Sequence, residues 1–248
     1  MSLRSILENL LANFIWVLLV AIFAVLLKYY DRLSRPEYLI LAINFGLVVT
    51  FMWYRKRFQK ITGIRMVEPH IASGTQPTDA LKLCKNNFKF LGIAANKFLF
   101  TPEFDATVLR CNRAGDSIKF LLSSPDNPII KQMARRAGRD ENEFRNMIIA
   151  TLKKLKVLKF EHGYNIEVRL YRSGGDSGPP SFRLFFIDST SVLVSYYLMG
   201  EGNGSQMPQM IIHKPDGKRE VENFYFAFDH YFNSLWENSE PCNYNEIN

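Results

Sequence analysis

The sequence predicts an α/β protein: an N-terminal two-helix transmembrane hairpin followed by a mixed-sheet domain that faces the cytosol. Three observations predict it. Two apolar runs of near-membrane length occupy residues 1–60. Downstream, short apolar runs alternate with helical periodicity in the order β-α-β-α, then several strands and a last helix, the pattern of a mixed sheet with helices on both faces. A composition of 47% hydrophobic and 14% aromatic residues excludes disorder, and 248 residues leave room for one domain beside a membrane element.

The membrane element comes first. Residues 10–27 are apolar apart from Asn13, a stretch that spans roughly 27 Å as a helix, and the helices are placed at about 10–28 and 38–54. The second run is interrupted by Asn44, Gly46 and Thr50 and ends in Trp53 and Tyr54, residues suited to the membrane interface. Pro36 and mixed charges between the runs read as a tight connection. Residues 1–60 hold eight Lys and Arg against three acids, a net of +5 that leaves +2 of the chain's +7 for the remainder. Arg55, Lys56, Arg57, Lys60 and Arg65 follow the second run, whereas Arg32 and Arg35 are the basic residues of the linker. The positive-inside rule therefore places the N-terminus and the domain in the cytoplasm, with the hairpin in the inner (cytoplasmic) membrane and lipid as the first partner. A passive anchor accounts for such a hairpin. A pore reading draws on Asn13, Asn44 and Thr50, polar side chains at membrane depth that equally suit hydrogen bonds between helices. Two helices cannot enclose a pore, so conduction calls for a homo-oligomer, for which a tetramer is expected.

Residues 61–87, with Pro69, Ser73-Gly74-Thr75 and Pro77, read as a connector. The domain is expected over 88–239, with 240–248 as a tail. Its elements are a strand at 88–99, a helix at 102–113 closed by Gly115, a strand at 117–122, and a helix from Pro128 to about 137. A helix at 141–156 follows, with Phe144, Ile148, Leu152 and Leu155 on one face and Lys153, Lys154 and Lys156 on the other. Strands at 166–171, 182–187, 192–197 and 210–213 precede an aromatic closing helix at 224–237.

Three widely separated cysteines, Cys84, Cys111 and Cys242, suit reduced thiols. His70, His162, His213 and His230 form no local ligand pair, so no metal is expected. The glycine-rich stretches at 174–180 and 200–205 link no strand to a helix with Walker or dinucleotide spacing, so no cofactor is expected either, and both read as lids over a ligand.

The runs FLGI, IKFLLSSPDNP, IEVRLYR, SFRLFFID, VLVSYY and FDHYFNSLWE, in this order over roughly residues 86–239, resemble a non-standard branch of the phospholipase D-like superfamily. The resemblance implies a phospholipase D-like mixed-sheet domain. Active members carry histidine, one spacer, lysine, four spacers and aspartate; Ser181, Arg183 and Asp188 stand at those positions here, with Ser195 and Tyr196 near the family's Gly-Ser pair. Serine lacks the imidazole's ability to accept a proton near neutral pH, so the resemblance implies no phosphohistidine chemistry and no enzyme. Arg183 keeps a positive planar fork able to grip phosphate in two places.

The expected phosphate-binding set is Ser123, Ser124, Asn127, Ser181, Arg183, Asp188, Ser195 and Tyr196. The stretch around Ser123, Ser124 and Asn127 offers helix N-terminal N–H groups to an anion, or is a helix-entry turn. Ser181 and Asp188 equally read as turn caps, and Arg183 as a solvated residue or an ion pair with Asp188. Lys153, Lys154 and Lys156 read as a solvated face or as contacts to a nucleic-acid backbone. By architecture the chain resembles membrane effectors of bacterial anti-phage systems of the Hailong type. The expected function is thus an oligomeric membrane effector, gated by a nucleotide or short single-stranded nucleic acid, with a nucleotidyltransferase as the source of the ligand. A membrane-anchored phosphodiesterase, with His162 or His213 as base, and a passive adaptor are the alternatives.

Overall fold

Strand register orders this chain. The computed structural model describes residues 35–72, 74–136, 138, 140–173, 180–196, 207–215 and 223–247. Eight strands form one sheet in the order β1-β7-β6-β5-β2-β3-β4-β8. They are β1 (Ile64–Glu68), β2 (Phe88–Gly92), β3 (Ile118–Ser123), β4 (Ile166–Tyr171), β5 (Phe182–Ile187), β6 (Ser191–Tyr196), β7 (Gln209–His213) and β8 (Glu240–Pro241). β2, β3 and β4 run parallel, whereas β5, β6, β7 and β1 add antiparallel on one side and β8 on the other.

Seven helices are described: α1 (Arg35–Thr62), α2 (Pro77–Leu83), α3 (Asn96–Leu99), α4 (Pro102–Ala114), α5 (Ile129–Arg136), α6 (Glu141–Phe160) and α7 (Phe224–Glu237). Their ends follow local chemistry. The Thr101 side chain accepts from the Phe104 N–H at the start of α4, and Gly115, at φ +81°, ends it in the left-handed conformation. Asp140 and Asn223 cap α6 and α7 in the same way.

The period of two along each strand sorts side chains into two cores. Phe88, Phe90, Ile118, Phe120, Leu122, Ile166, Val168, Phe185 and Leu193 pack against buried residues of α2 to α6. Leu91, Leu121, Leu184, Phe186, Val192, Val194 and Ile212 pack against Tyr225, Phe232 and Trp236 of α7. Helices therefore cover both faces, as the alternation of elements predicts.

Three expectations need correction. The connector over 61–87 contains β1, which completes one edge of the sheet, and α2, whose Ala80 and Leu81 are fully buried. The expected strand over 88–99 stops at Gly92, and α3 begins at Asn96. The tail holds β8 and a 3-10 turn, Tyr244–Glu246, that buries Tyr244 against the α6 side.

The chain divides within α1 into two compact units, Met1–Arg57 and Phe58–Asn248. The first expected membrane helix lies outside the described residues. The second lies within α1, where Ile40, Ile43, Leu47, Val48, Phe51, Trp53 and Tyr54 are exposed. Among the described residues no helix is long and apolar enough to cross a membrane.

Candidate functional site

Register assembles a polar row that the sequence only partly announces. Arg183 shares a sheet face with Phe185 and Ile187, because alternate residues of a strand point the same way. It pairs with Ser195 on β6, Ser195 pairs with Gln209 on β7, and Gln209 pairs with Glu68 on β1. Four polar residues on four adjacent strands thus form one row about 14 Å long, at one end of a face otherwise built from Phe185, Leu193 and Ile211.

The row is largely shielded from water. Ser195 is 4% and Gln209 2% exposed, and Arg183 is half-buried. Arg183 Nη2 donates to Ser195 Oγ at 3.5 Å, a weak contact by distance. Among the described residues no carboxylate lies within ion-pair reach of Arg183, so its remaining donors are available to an anion. Gln209 Oε1 is buried with no hydrogen-bond partner among the described residues, an arrangement that costs about 1–3 kcal/mol.

Ser181 precedes β5 and is exposed, and its backbone N–H donates to the Tyr231 hydroxyl at 3.3 Å. Burial raises the Tyr231 phenol above its ordinary range, partly offset by that bond. Tyr196 does not join Ser195. The strand period sends it to the opposite face, where its exposed ring meets Phe182 edge-on at 6.0 Å, and Phe182 in turn meets Phe228 at 5.2 Å.

Asp188 leaves the expected site altogether. It stands at the far end of β5, roughly 17 Å along the strand from Arg183, which also excludes an ion pair between them. Its carboxylate accepts N–H bonds from Lys85 at 2.9 and 3.0 Å, Asn86 at 2.8 Å and Asn87 at 3.1 Å. The residue clasps the α2–β2 turn to the β5–β6 turn, in a backbone conformation with φ +49°.

Ser123, Ser124 and Asn127 lie at the Arg183 end of the sheet, two strands from β5, and all three are buried. Their polar groups serve each other. Asn127 Nδ2 donates to Ser123 Oγ at 3.1 Å and to the Tyr171 carbonyl at 3.4 Å, while Asn127 Oδ1 accepts from the N–H groups of Ile129 and Ser173. The Ile130 N–H is taken by the Asn127 carbonyl. The first donors of α5 are therefore spent inside the protein, and the segment is a helix-entry clip rather than an anion cradle.

The lysines of α6 do not form a track. Lys154 pairs with Asp105 at 3.0 Å and Lys156 donates to the Tyr244 carbonyl at 3.1 Å, leaving Lys153 as the exposed member of the three. His162 stacks on Tyr164 beyond α6. His213 closes β7, about 13 Å along the strand from Gln209, so neither histidine reaches the row. Among the described residues no group of three His, Cys, Asp or Glu is placed to hold a metal. Asn44 donates back to the Ile40 carbonyl of its own helix at 2.9 Å, and Thr50 is exposed. Asn13, residues 174–179 and residues 200–205 lie outside the described residues.

Sequence reasoning missed Gln209 and Glu68. Glu68 sits in what reads as a connector, and nothing in the run around Gln209 marks it as inward-facing. The one signal is alternation: Ile211 packs on the larger core, and Gln209 shares its face.

No family model matches the chain, and no curated protein matches it. Solved structures do resemble it. The archaeal chromatin protein TrmBL2, whose structure is described as showing a novel mode of DNA binding, has a TM-score of 0.41 at 14% identity, over 88% of this chain and 68% of that one. The phospholipase D family member Nuc from Salmonella typhimurium gives 0.37 at 11% identity, over 66% of this chain and 87% of that one. Phosphatidylserine synthase from Haemophilus influenzae gives 0.46 at 13% identity, over 74% of this chain and 40% of the synthase.

Proposed function

We propose that this chain is an oligomeric membrane effector whose phospholipase D-like domain holds a phosphate-bearing ligand, a nucleotide or short single-stranded nucleic acid, without cutting it. One observation carries the reading: Arg183 is half-buried, has no ionic partner among the described residues, and faces a shielded row of polar groups. A guanidinium in that setting favours an anion that accepts two N–H bonds, and exclusion of water strengthens the contact. Ser181 takes the position where the resemblance calls for the attacking histidine, and His162 and His213 stand elsewhere. The site thus keeps the charge that orients a phosphodiester and lacks the group that would attack it.

The exposed apolar side chains of α1 support the membrane half of the proposal, because a helix surface of that kind is stable when lipid or another helix covers it. Ligand binding gates such an assembly when its affinity differs between two arrangements of the membrane helices. In an anti-phage setting the ligand is made by a nucleotidyltransferase. Ion flux from liposomes carrying the full chain tests the proposal, with and without added nucleotides and short oligonucleotides. The expected result is a flux that changes with ligand in the wild type and is indifferent to ligand in Arg183→Ala. Absence of flux in every condition sinks the channel, and diester turnover lost in His213→Ala establishes the phosphodiesterase instead.

A further inference from the structure

The surface of α1 changes character within one helical turn. From Ile40 to Tyr54 the exposed side chains are apolar except Asn44 and Thr50; then come Arg55, Lys56 and Arg57, all exposed, with the exposed Phe58 and Ile61 beyond them. No acidic residue occurs between Glu37 and Glu68, so these charges have no neutralising neighbour in sequence. Arg57 lies over the Trp53 ring, 5.2 Å from its centroid, which puts a cation directly on the aromatic residue at the boundary.

The angular placement of the three cations is informative. At about 100° per residue, Arg55, Lys56 and Arg57 fall near 0°, 100° and 200°, more than half of the helix circumference. Exposed apolar side chains of the preceding turns also spread widely: Phe51, Trp53 and Tyr54 fall at about 320°, 160° and 260° on the same scale. A helix that lies flat in an interface segregates the two classes onto opposite sides. Here they are stacked along the axis, apolar first and basic next, so the axis meets a charged layer steeply. Parallel neighbours in an oligomer would oppose cation to cation at this level, a repulsion that anionic groups lying between the copies relieve.

We infer that Arg55, Lys56 and Arg57 form a collar that binds the headgroups of anionic lipids around α1. The inference rests on the membrane half of the proposed function and is independent of any ligand at Arg183. Each cation near an anionic surface adds to the attraction, and the sum selects anionic over zwitterionic lipid.

The test uses the full chain reconstituted in bilayers of phosphatidylcholine with a minority of phosphatidylglycerol, then extracted in mild detergent, with the retained lipid quantified by mass spectrometry. The wild type should retain phosphatidylglycerol at several times its share of the bilayer. R55Q/K56Q/R57Q should retain the two lipids in the bilayer ratio, while R55K/R57K, which keeps the charges, should match the wild type and show that folding is not the cause. Retention of both lipids in the bilayer ratio by the wild type overturns the collar and leaves membrane association standing. Recovery of the wild type in the aqueous fraction, without lipid, overturns the membrane reading and the collar with it.

Discussion

At the scale of single residues, the same side-chain type can hold a turn or hold a ligand, and geometry decides which. Asp188 accepts backbone N–H bonds from three consecutive residues, so Asp188→Ala should lower stability by about 2 kcal/mol, read by chemical denaturation, and leave ligand affinity unchanged. Arg183→Ala should do the reverse, since its one described bond is a weak contact at 3.5 Å. The sequence places both residues in one motif, and a five-residue spacing along a strand then sends them to opposite ends. Thiols give a pH dependence of known sign. Burial, and next to it the charge of Asp188, raises Cys111 to about 11 from 9.0, and burial raises Cys242 to about 11. Both thiols ionise earlier in the unfolded chain, so their contribution is complete below about pH 9 and is lost as pH climbs toward 11. The midpoint of thermal unfolding should therefore fall across that window, with a shallower slope in Cys111→Ala.

At the scale of elements, α7 sits on a set of cations rather than on a purely apolar sheet face. Lys89 ion-pairs with Asp229 and lies 4.6 Å from the Phe186 ring centroid and 5.1 Å from that of Phe232. Lys119 and Arg169 approach Trp236 at 5.2 and 5.3 Å, and Arg169 donates to the Trp236 carbonyl at 2.8 Å, holding the last turn of the helix. Removing one member of a shielded ion pair leaves the other uncompensated, so Lys89→Ala should destabilise the domain by about 3 kcal/mol. Lys89→Met with Asp229→Leu should recover most of that loss in the same denaturation assay. At the junction of α1 and β1, Gly63 has φ +76°, and a Cβ there would stand 2.6 Å from the His213 carbonyl oxygen. Gly63→Ala should accordingly cost more than about 1 kcal/mol. Much of this layer was legible. The extents of β4, β5 and α7 match the sequence reading because glycine, proline and aromatic periodicity bound them clearly. β1 and α2 were not, since Pro69, Gly74 and Pro77 resemble a linker, and β1 depends on a partner more than a hundred residues away, as in the pairing of Val67 with Met210.

At the scale of the whole molecule, the sheet brings together residues that the sequence keeps apart. Arg183, Ser195 and Gln209 come from three strands and Glu68 from a fourth, so half of the row has no signature in any one stretch of chain. Ser123, Ser124 and Asn127 were legible as a strand-to-helix turn and illegible as a closed hydrogen-bond network, because that closure involves Ser173 and the Tyr171 carbonyl. The proposed function requires the domain to hold phosphate-bearing ligands without cleaving them. Calorimetric titration of the full chain in detergent with a short single-stranded oligonucleotide, followed by product analysis of the same samples, tests it most directly. Saturable binding, weakened about tenfold or more in Arg183→Ala, with the oligonucleotide recovered intact, is expected. Binding unaffected by Arg183→Ala, or cleavage of the oligonucleotide by the wild type, would contradict it.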